Sequence, residues 1–292
     1  MKTSFLQAFL LTVDTGSMAE AARRLDLTPA AVAQQLRSLE VEIGVALLAR
    51  AGKTVRPTEA GHRVLERCRA LVRDAASIKA FATQGDLGGE LRIGAINTAL
   101  NFLLPDVLAA LTASYPDLRF YIQSALSSKL FNLVQRGELD AAVCLHPQFV
   151  LPKTCGWQLL REEELIAIAP LDMAGRDPHL LLQTMPFIRY DRKQWGGQQA
   201  DRYLRRVGIV PRERYELSHL SAIITLVGRG LGVALAPDTL MSLSQVSTVT
   251  ALALPIRTQP RQLGILWQRS SVHERLIRIF IDQAKALCQT HS

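Results

Sequence analysis

Apolar residues recur at helical spacing through the first part of the chain and then give way to short alternating runs. Phe5, Phe9, Leu10 and Val13 share one face of a helix predicted over residues 4–15, which Gly16 ends. Ser17 is placed to cap a second helix over 18–25, because its hydroxyl accepts an early backbone N–H. Met18, Ala21, Ala22 and Leu25 face inward there, and the two alanines let another helix come close. A break at Asp26-Leu27-Thr28 follows. Thr28 caps a third helix and Pro29 suits its first turn. In that helix Val32, Leu36, Leu39 and Ile43 form one buried stripe. The other face presents Ala30, Ala33, Gln34 and Arg37, and no acid occurs from Pro29 to Leu39. Small residues at the helix start permit close approach to DNA, and Gln34 and Arg37 carry donors for base edges or phosphate. The three elements make a helix-turn-helix arrangement.

Residues 45–57 predict two short strands about a turn at Ala51-Gly52. Arg50, Lys53 and Arg56 lie in this wing without an acid, and backbone phosphates are their natural partners. From Thr58 a long helix runs to residue 81. Val64, Cys68, Leu71, Ala75 and Ile78 recur along it in a heptad rhythm. Such a seam pairs two chains and spaces two recognition helices on DNA; the same stripe also suits packing within one domain. Gln84-Gly85-Asp86-Leu87-Gly88-Gly89 reads as a hinge.

From Glu90 strands alternate with helices. Strands are predicted over 91–95, 118–123, 140–145, 164–169, 187–190, 214–217, 232–236 and 261–267. Helices are predicted over 99–115, 127–137, 198–207, 219–229 and 272–287. Pro105 falls inside the first of these as a kink or a first-turn proline. The fold class expected is α/β: a winged helix-turn-helix, a long linker helix, then a two-lobed α/β domain with a cleft. Its domains are a DNA-binding domain over 1–61, a linker helix and hinge over 58–89, and the two-lobed α/β domain over 90–292. Lobe I takes 90–163 and 268–292, and lobe II takes 164–267. Ligands in such sheets bind at strand C-terminal ends, near helix starts.

Composition changes this picture little. Of 292 residues, 48% are hydrophobic and 21% charged, ordinary for a globular protein. No apolar run has the length of a membrane span, and residues 1–15 lack the apolar core of a signal peptide, so a cytoplasmic protein with no membrane association is expected. The net charge of +8 suits a polyanionic partner, yet residues 1–90 carry only +2 of it. Cys68, Cys144, Cys155 and Cys288 have no metal-ligand spacing and read as buried reduced thiols. Neither a metal nor another cofactor is expected.

Catalytic motifs are missing too. Gly228-Arg-Gly-Leu-Gly232 falls between a helix and a strand, the wrong order for a dinucleotide loop. His273-Glu274 has Ile277 where a metalloprotease needs its second His. Neither a nucleophile elbow nor a phosphate-binding loop occurs. An enzyme and a stand-alone solute-binding protein are the rival classes; the missing motifs argue against the first, and residues 1–61 with the missing signal peptide against the second.

The N-terminal residues resemble the LysR-type transcriptional regulators. The resemblance lies in Gly16-Ser17, Ala21-Ala22, Leu25, Thr28 through Leu36, Leu39-Glu40, Ile43-Gly44, Leu47-Leu48-x-Arg50 and Pro57-Thr58-x-Ala60-Gly61. Further runs similar to that family are Gly89 to Gly94, Leu103-Leu-Pro105, Gly137 to Asp140, Ala167 to Pro170 and Gly230 to Pro237. Ala33 stands where the family often has Ser, Leu48 and Met18 where it has Phe; these bear on which DNA sequence is read. The resemblance implies a periplasmic-binding-protein-like effector domain, homodimers or homotetramers, double-stranded DNA and a small-molecule effector as partners, and transcription regulation as the activity. Carried over by position, Thr98 and Ser127 start two helices against which the effector lies, with Asn97 and His146 beside them. Tyr190 and Trp195 are expected from the second lobe. Two hydroxyls near helix starts suit an anionic group, so a small organic acid is the expected effector.

Overall fold

The computed structural model describes residues 1–52, 54–82, 89–239 and 248–290. Lys53, most of the expected hinge and the side chain of Ile78 lie outside the described residues. The chain divides into two compact units, Met1–Gly89 and, but for the stretch Gln135–Glu138, Glu90–Ser292.

In the first unit the expected helices form as α1 (Thr3–Thr15), α2 (Met18–Arg24) and α3 (Pro29–Ile43). Each junction has a local cause. Gly16 ends α1 in the left-handed region. Ser17 Oγ accepts the Glu20 amide at 3.3 Å and Thr28 Oγ1 accepts the Ala31 amide at 3.2 Å. Asp26 turns the chain between α2 and α3 at φ 54°, a conformation that a short polar residue tolerates. Strands β1 (Leu48–Ala51) and β2 (Thr54–Pro57) pair antiparallel, with Leu48 opposite Pro57. Helix α4 (Glu59–Ala82) follows, its first turn capped by Thr58 Oγ1, which accepts the Gly61 amide at 3.0 Å.

One core holds these elements together: Phe9, Val32, Leu36, Leu39, Leu47 and Cys68 are buried, and Val64, Leu65 and Val72 pack against them. Val64 and Cys68 face their own domain, because the first turns of α4 lie on α1, where Arg69 also reaches Asp14 at 2.6 Å. The heptad rhythm there reports packing within one chain. Leu71, seven residues beyond Val64 on the same stripe, is 46% exposed, and Ala75 is half-buried.

The second unit begins with β3 (Gly89–Ala95), α5 (Asn97–Phe102), α6 (Leu104–Ser114), β4 (Leu118–Ser124), α7 (Ser127–Gln135), β5 (Ala141–Leu145) and β6 (Cys155–Glu163). It crosses to a second lobe of β7 (Leu165–Pro170), α8 (Pro178–Thr184), β8 (Pro186–Tyr190), α9 (Trp195–Val207), β9 (Arg212–Leu217), α10 (Leu220–Gly228), β10 (Ala234–Pro237) and β11 (Val249–Ala253). It returns through β12 (Arg261–Gln268) and α11 (Glu274–Thr290). The first lobe's sheet has the order β4-β3-β5-β12-β6, with β3 parallel to β5 and β12 antiparallel to both its neighbours. In the second lobe β10-β7-β11 is antiparallel and β8-β9 parallel. A bridge from Phe187 to Val233 joins the two, with the Ile188 amide donating to the Val233 carbonyl at 2.8 Å. The strands of each lobe are buried beneath their helices, Leu91, Ile93, Leu263 and Ile265 in one and Leu165, Ala167, Phe187 and Leu235 in the other.

Several expectations change. The helix expected over 99–115 is two helices, because Leu103 leaves the helical region at φ −129° and Pro105 sits in the first turn of α6. The elements β6, α8 and β11 were not expected. Helix α9 starts at Trp195, three residues before its expected start.

Candidate functional site

The exposed face of α3 carries Thr28, Pro29, Ala30, Gln34 and Arg37, and Ala33 is half-buried between them. Its first turn has no acid. Among the described residues Gln34 and Arg37 make no side-chain hydrogen bond or ion pair, so their donors are free for an outside partner. Ser17 is different: it is half-buried and its oxygen is already engaged as a cap.

The wing stands beside this helix. Arg50 and Arg56 are exposed and unpaired among the described residues. Arg50 is opposite Val55, and Arg56 opposite Ala49. Cross-strand partners share a face and successive residues alternate, so the two arginines occupy opposite faces of the ribbon. Two residues quoted above only for the resemblance fix the wing in place. Glu40, on α3, accepts the amides of Leu47 at 2.7 Å and Leu48 at 3.0 Å. Gly61, on α4, leaves room for the Leu47 carbonyl: a Cβ there would lie 2.1 Å from that oxygen.

In the second unit the six residues expected at an effector site, Asn97, Thr98, Ser127, His146, Tyr190 and Trp195, all line one cavity of about 620 Å³. Ser127 Oγ accepts the Leu145 amide at 3.2 Å, and Asn97 Oδ1 accepts the Ser124 hydroxyl at 2.7 Å. His146 stands edge-on to Trp157, with ring centroids 4.9 Å apart, and its Nδ1 lies 2.7 Å from the Pro147 carbonyl. A carbonyl only accepts, so Nδ1 carries the proton there. Tyr190 is the buried last residue of β8, and burial pushes its hydroxyl pKa up. Trp195 opens α9. Gly196 and Gly197 behind it let the helix start press on β8, since a Cβ at Gly197 would be 2.4 Å from the Tyr190 carbonyl oxygen.

The structure adds two cations to this lining, Lys193 and Arg261, and no carboxylate lines the cavity. Arg261 is only 4% exposed. Its Nε donates to Glu163 and its Nη2 to Thr98 Oγ1 at 3.2 Å. Glu163 is shared with Arg161, at 2.5 Å. Local sequence gave no sign of Arg261, because its partners come from β6 and α5. His146, Trp195 and Arg261 also line an adjoining cleft of about 1180 Å³, which Arg202 and Arg206 of α9 border. Among the described residues no three His, Cys, Asp or Glu gather as a metal site, and no helix is long and apolar enough to cross a membrane.

Comparison with known proteins agrees with both halves. Residues 4–62 match the family model of the bacterial regulatory helix-turn-helix proteins of the lysR family. Residues 84–289 match the LysR substrate binding domain. A relative, the probable HTH-type transcriptional regulator LrrA of Synechococcus elongatus, is 26% identical over 288 residues, covering 97% of this chain and 96% of its own. Among solved structures, a full-length OxyR variant from Pseudomonas aeruginosa is similar at TM-score 0.70 and 21% identity, over 98% of this chain and 95% of that one. CbnR complexed with its target DNA is similar at TM-score 0.64 and 20% identity, over 98% and 99%. A helix-turn-helix with a wing, followed by a two-lobed domain around a cavity, is thus matched along nearly the whole chain. The chain belongs to the LysR family of DNA-binding transcriptional regulators, which are not enzymes, and its second domain is of the kind that binds a small-molecule effector.

Proposed function

We propose that α3 is the recognition helix. Gln34 and Arg37 meet base edges or nearby phosphates in the major groove, with Thr28, Pro29, Ala30 and Ala33 at the groove floor. Arg50 and Arg56 hold the phosphate backbone from the wing, as Lys53 would. Ser17 contributes through the start of α2. The observation that carries this reading is the acid-free face of α3 with its two unengaged donors.

The cavity of the second unit takes the effector, a small organic acid, against Asn97, Thr98, Ser127, His146, Tyr190 and Trp195. Occupancy biases the angle between the lobes, and through it the spacing of recognition helices in a homodimer or homotetramer. The protein works in the cytoplasm, where its DNA is. Thiol-based sensing is not favoured. All four cysteines are buried, and burial pushes the Cys144 thiol up to about 12, far from the thiolate such chemistry needs.

A gel shift on the DNA upstream of the protein's own gene tests the reading head. Wild type binds that DNA in the presence of competitor, and Gln34→Ala/Arg37→Ala does not. Equal, salt-sensitive binding of both proteins to any DNA would sink the assignment of these two side chains.

A further inference from the structure

We infer that Arg261 selects the effector, and that the effector is a carboxylic acid with an aromatic or similarly flat apolar body. The inference rests on the cavity being the effector site. Arg261 is a buried side chain that carries a guanidinium. Its Nε and Nη2 have protein acceptors, while Nη1 has none among the described residues. The space that this side chain lines is the cavity. A guanidinium that lines a cavity can meet a carboxylate through two parallel hydrogen bonds.

The neighbouring hydroxyls point to the same chemistry. Thr98 Oγ1 accepts from Arg261 and Ser127 Oγ accepts from Leu145. Each keeps a proton that no described residue takes. The cavity wall therefore offers donors, and no carboxylate in the lining offers the reverse. Charge agrees. Glu163 faces Arg261 from β6, but it also binds Arg161, so one carboxylate serves two arginines. Asp238, with its pKa raised by burial and by Glu163, is not part of the lining. Elsewhere the walls are rings: Phe131 and Phe149, edge to face with centroids 5.0 Å apart, with Trp195 and His146. A flat apolar body suits these walls better than a hydrated one such as a sugar.

Arg261 also sits where occupancy can be felt. It opens β12 at the return from the second lobe, and its register partner Glu163 ends β6 at the departure. An anion drawing on Arg261 acts on both crossings.

The test uses the full-length protein and intrinsic tryptophan fluorescence. The probes are aryl and arylalkyl carboxylates, phenylacetate among them, each paired with its primary amide. At least one acid binds wild type about tenfold or more tighter than its amide, the usual worth of a charged pair that is out of water. Arg261→Gln brings acid and amide within about twofold of each other, and Arg261→Lys keeps part of the preference because it keeps the charge. Equal binding of acid and amide by wild type, an undiminished preference in Arg261→Gln, or no binding by any acid overturns the proposal. Sequence-specific DNA binding, measured on the same preparations, shows that each variant is folded. A neutral compound that binds the cavity and alters DNA binding would overturn the acid assignment while leaving the regulator reading intact. Loss of ligand-responsive DNA binding for every class of compound would strike that reading instead.

Discussion

Glu40, in the last turns of α3, holds the amide of Leu47 at the entry to the wing, at 2.7 Å. The same carboxylate oxygen takes the Leu48 amide at 3.0 Å. One side chain thereby sets where the wing leaves the helix. Glu40→Ala strands both amides, and hydrogen bonds to a charged group are worth about 1.5–3 kcal/mol each at most in such a setting. We expect urea unfolding of the first unit to shift by about 2 kcal/mol, with Glu40→Gln losing less. DNA affinity should fall with it, through the displaced wing. An unchanged unfolding midpoint would refute the role.

The wing arginines should act independently. They occupy opposite faces of the ribbon and share no partner among the described residues. Each neutralised phosphate changes the slope of log affinity against log salt by about one. Arg50→Ala and Arg56→Ala should each lower the slope by about that amount, and the double variant should add the two effects within about 0.5 kcal/mol. The loss should be the same on specific and random DNA. Strong coupling between the two would place both on one phosphate.

Gly61 tolerates no side chain. A Cβ would sit 2.1 Å from the Leu47 carbonyl oxygen and 3.1 Å from the Pro57 Cβ, both in the frame of the wing. Gly61→Ala therefore pushes α4 off the wing and costs about 1–3 kcal/mol, the range for overfilling a packed site. Chemical denaturation reads this directly. A neutral substitution would mean that α4 is free to slide there.

Alkali should destabilise the second unit through Cys144. Its thiol is held protonated by burial, with a pKa pushed up to about 12 in the fold, against an ordinary value of 9.0 for an exposed thiol. Between these limits the unfolded chain has released its proton and the folded one has not, so stability falls as pH rises. The slope from this group is about 1.4 kcal/mol per pH unit, and it is absent below pH 8. Tyr190, raised by burial as well, adds to the decline at higher pH. The difference between wild type and Cys144→Ala, measured by unfolding at pH 8 and pH 10, isolates the cysteine. A difference that does not grow with pH would contradict the burial argument. By the same cause, Cys144 should resist alkylation at pH 8 until the protein is unfolded.

Much of the reading head was legible because its signals are local. Ser17 and Thr28 cap the helices that their positions predict, and the stripe Val32, Leu36, Leu39 is buried as its spacing requires. The face left over is the one with Gln34 and Arg37. Periodicity was less informative about α4, since the same rhythm serves a partner chain or α1, and only packing chose α1 for Val64 and Cys68. Strand β6 was missed because Arg161, Glu162 and Glu163 look like a solvated turn. In the fold Glu163 is buried against Arg261, a partner far along the chain. The cavity divides likewise. Thr98, Ser127 and Tyr190 came from the family resemblance, carried over by position. Arg261 has no local signature, because what makes it unusual is the burial that two lobes impose.

Glu163 and Arg261 face each other across neighbouring antiparallel strands, so the second lobe leaves and returns at one place. Topologically it is an insertion into a sheet that is already closed without it. An Asn-Gly turn in place of residues 164–260 would join β6 to β12 as an ordinary hairpin and keep the order β4-β3-β5-β12-β6. The half of the cavity that carries Tyr190 and Trp195 is therefore a cassette, exchangeable at a single splice without rethreading the domain that receives it.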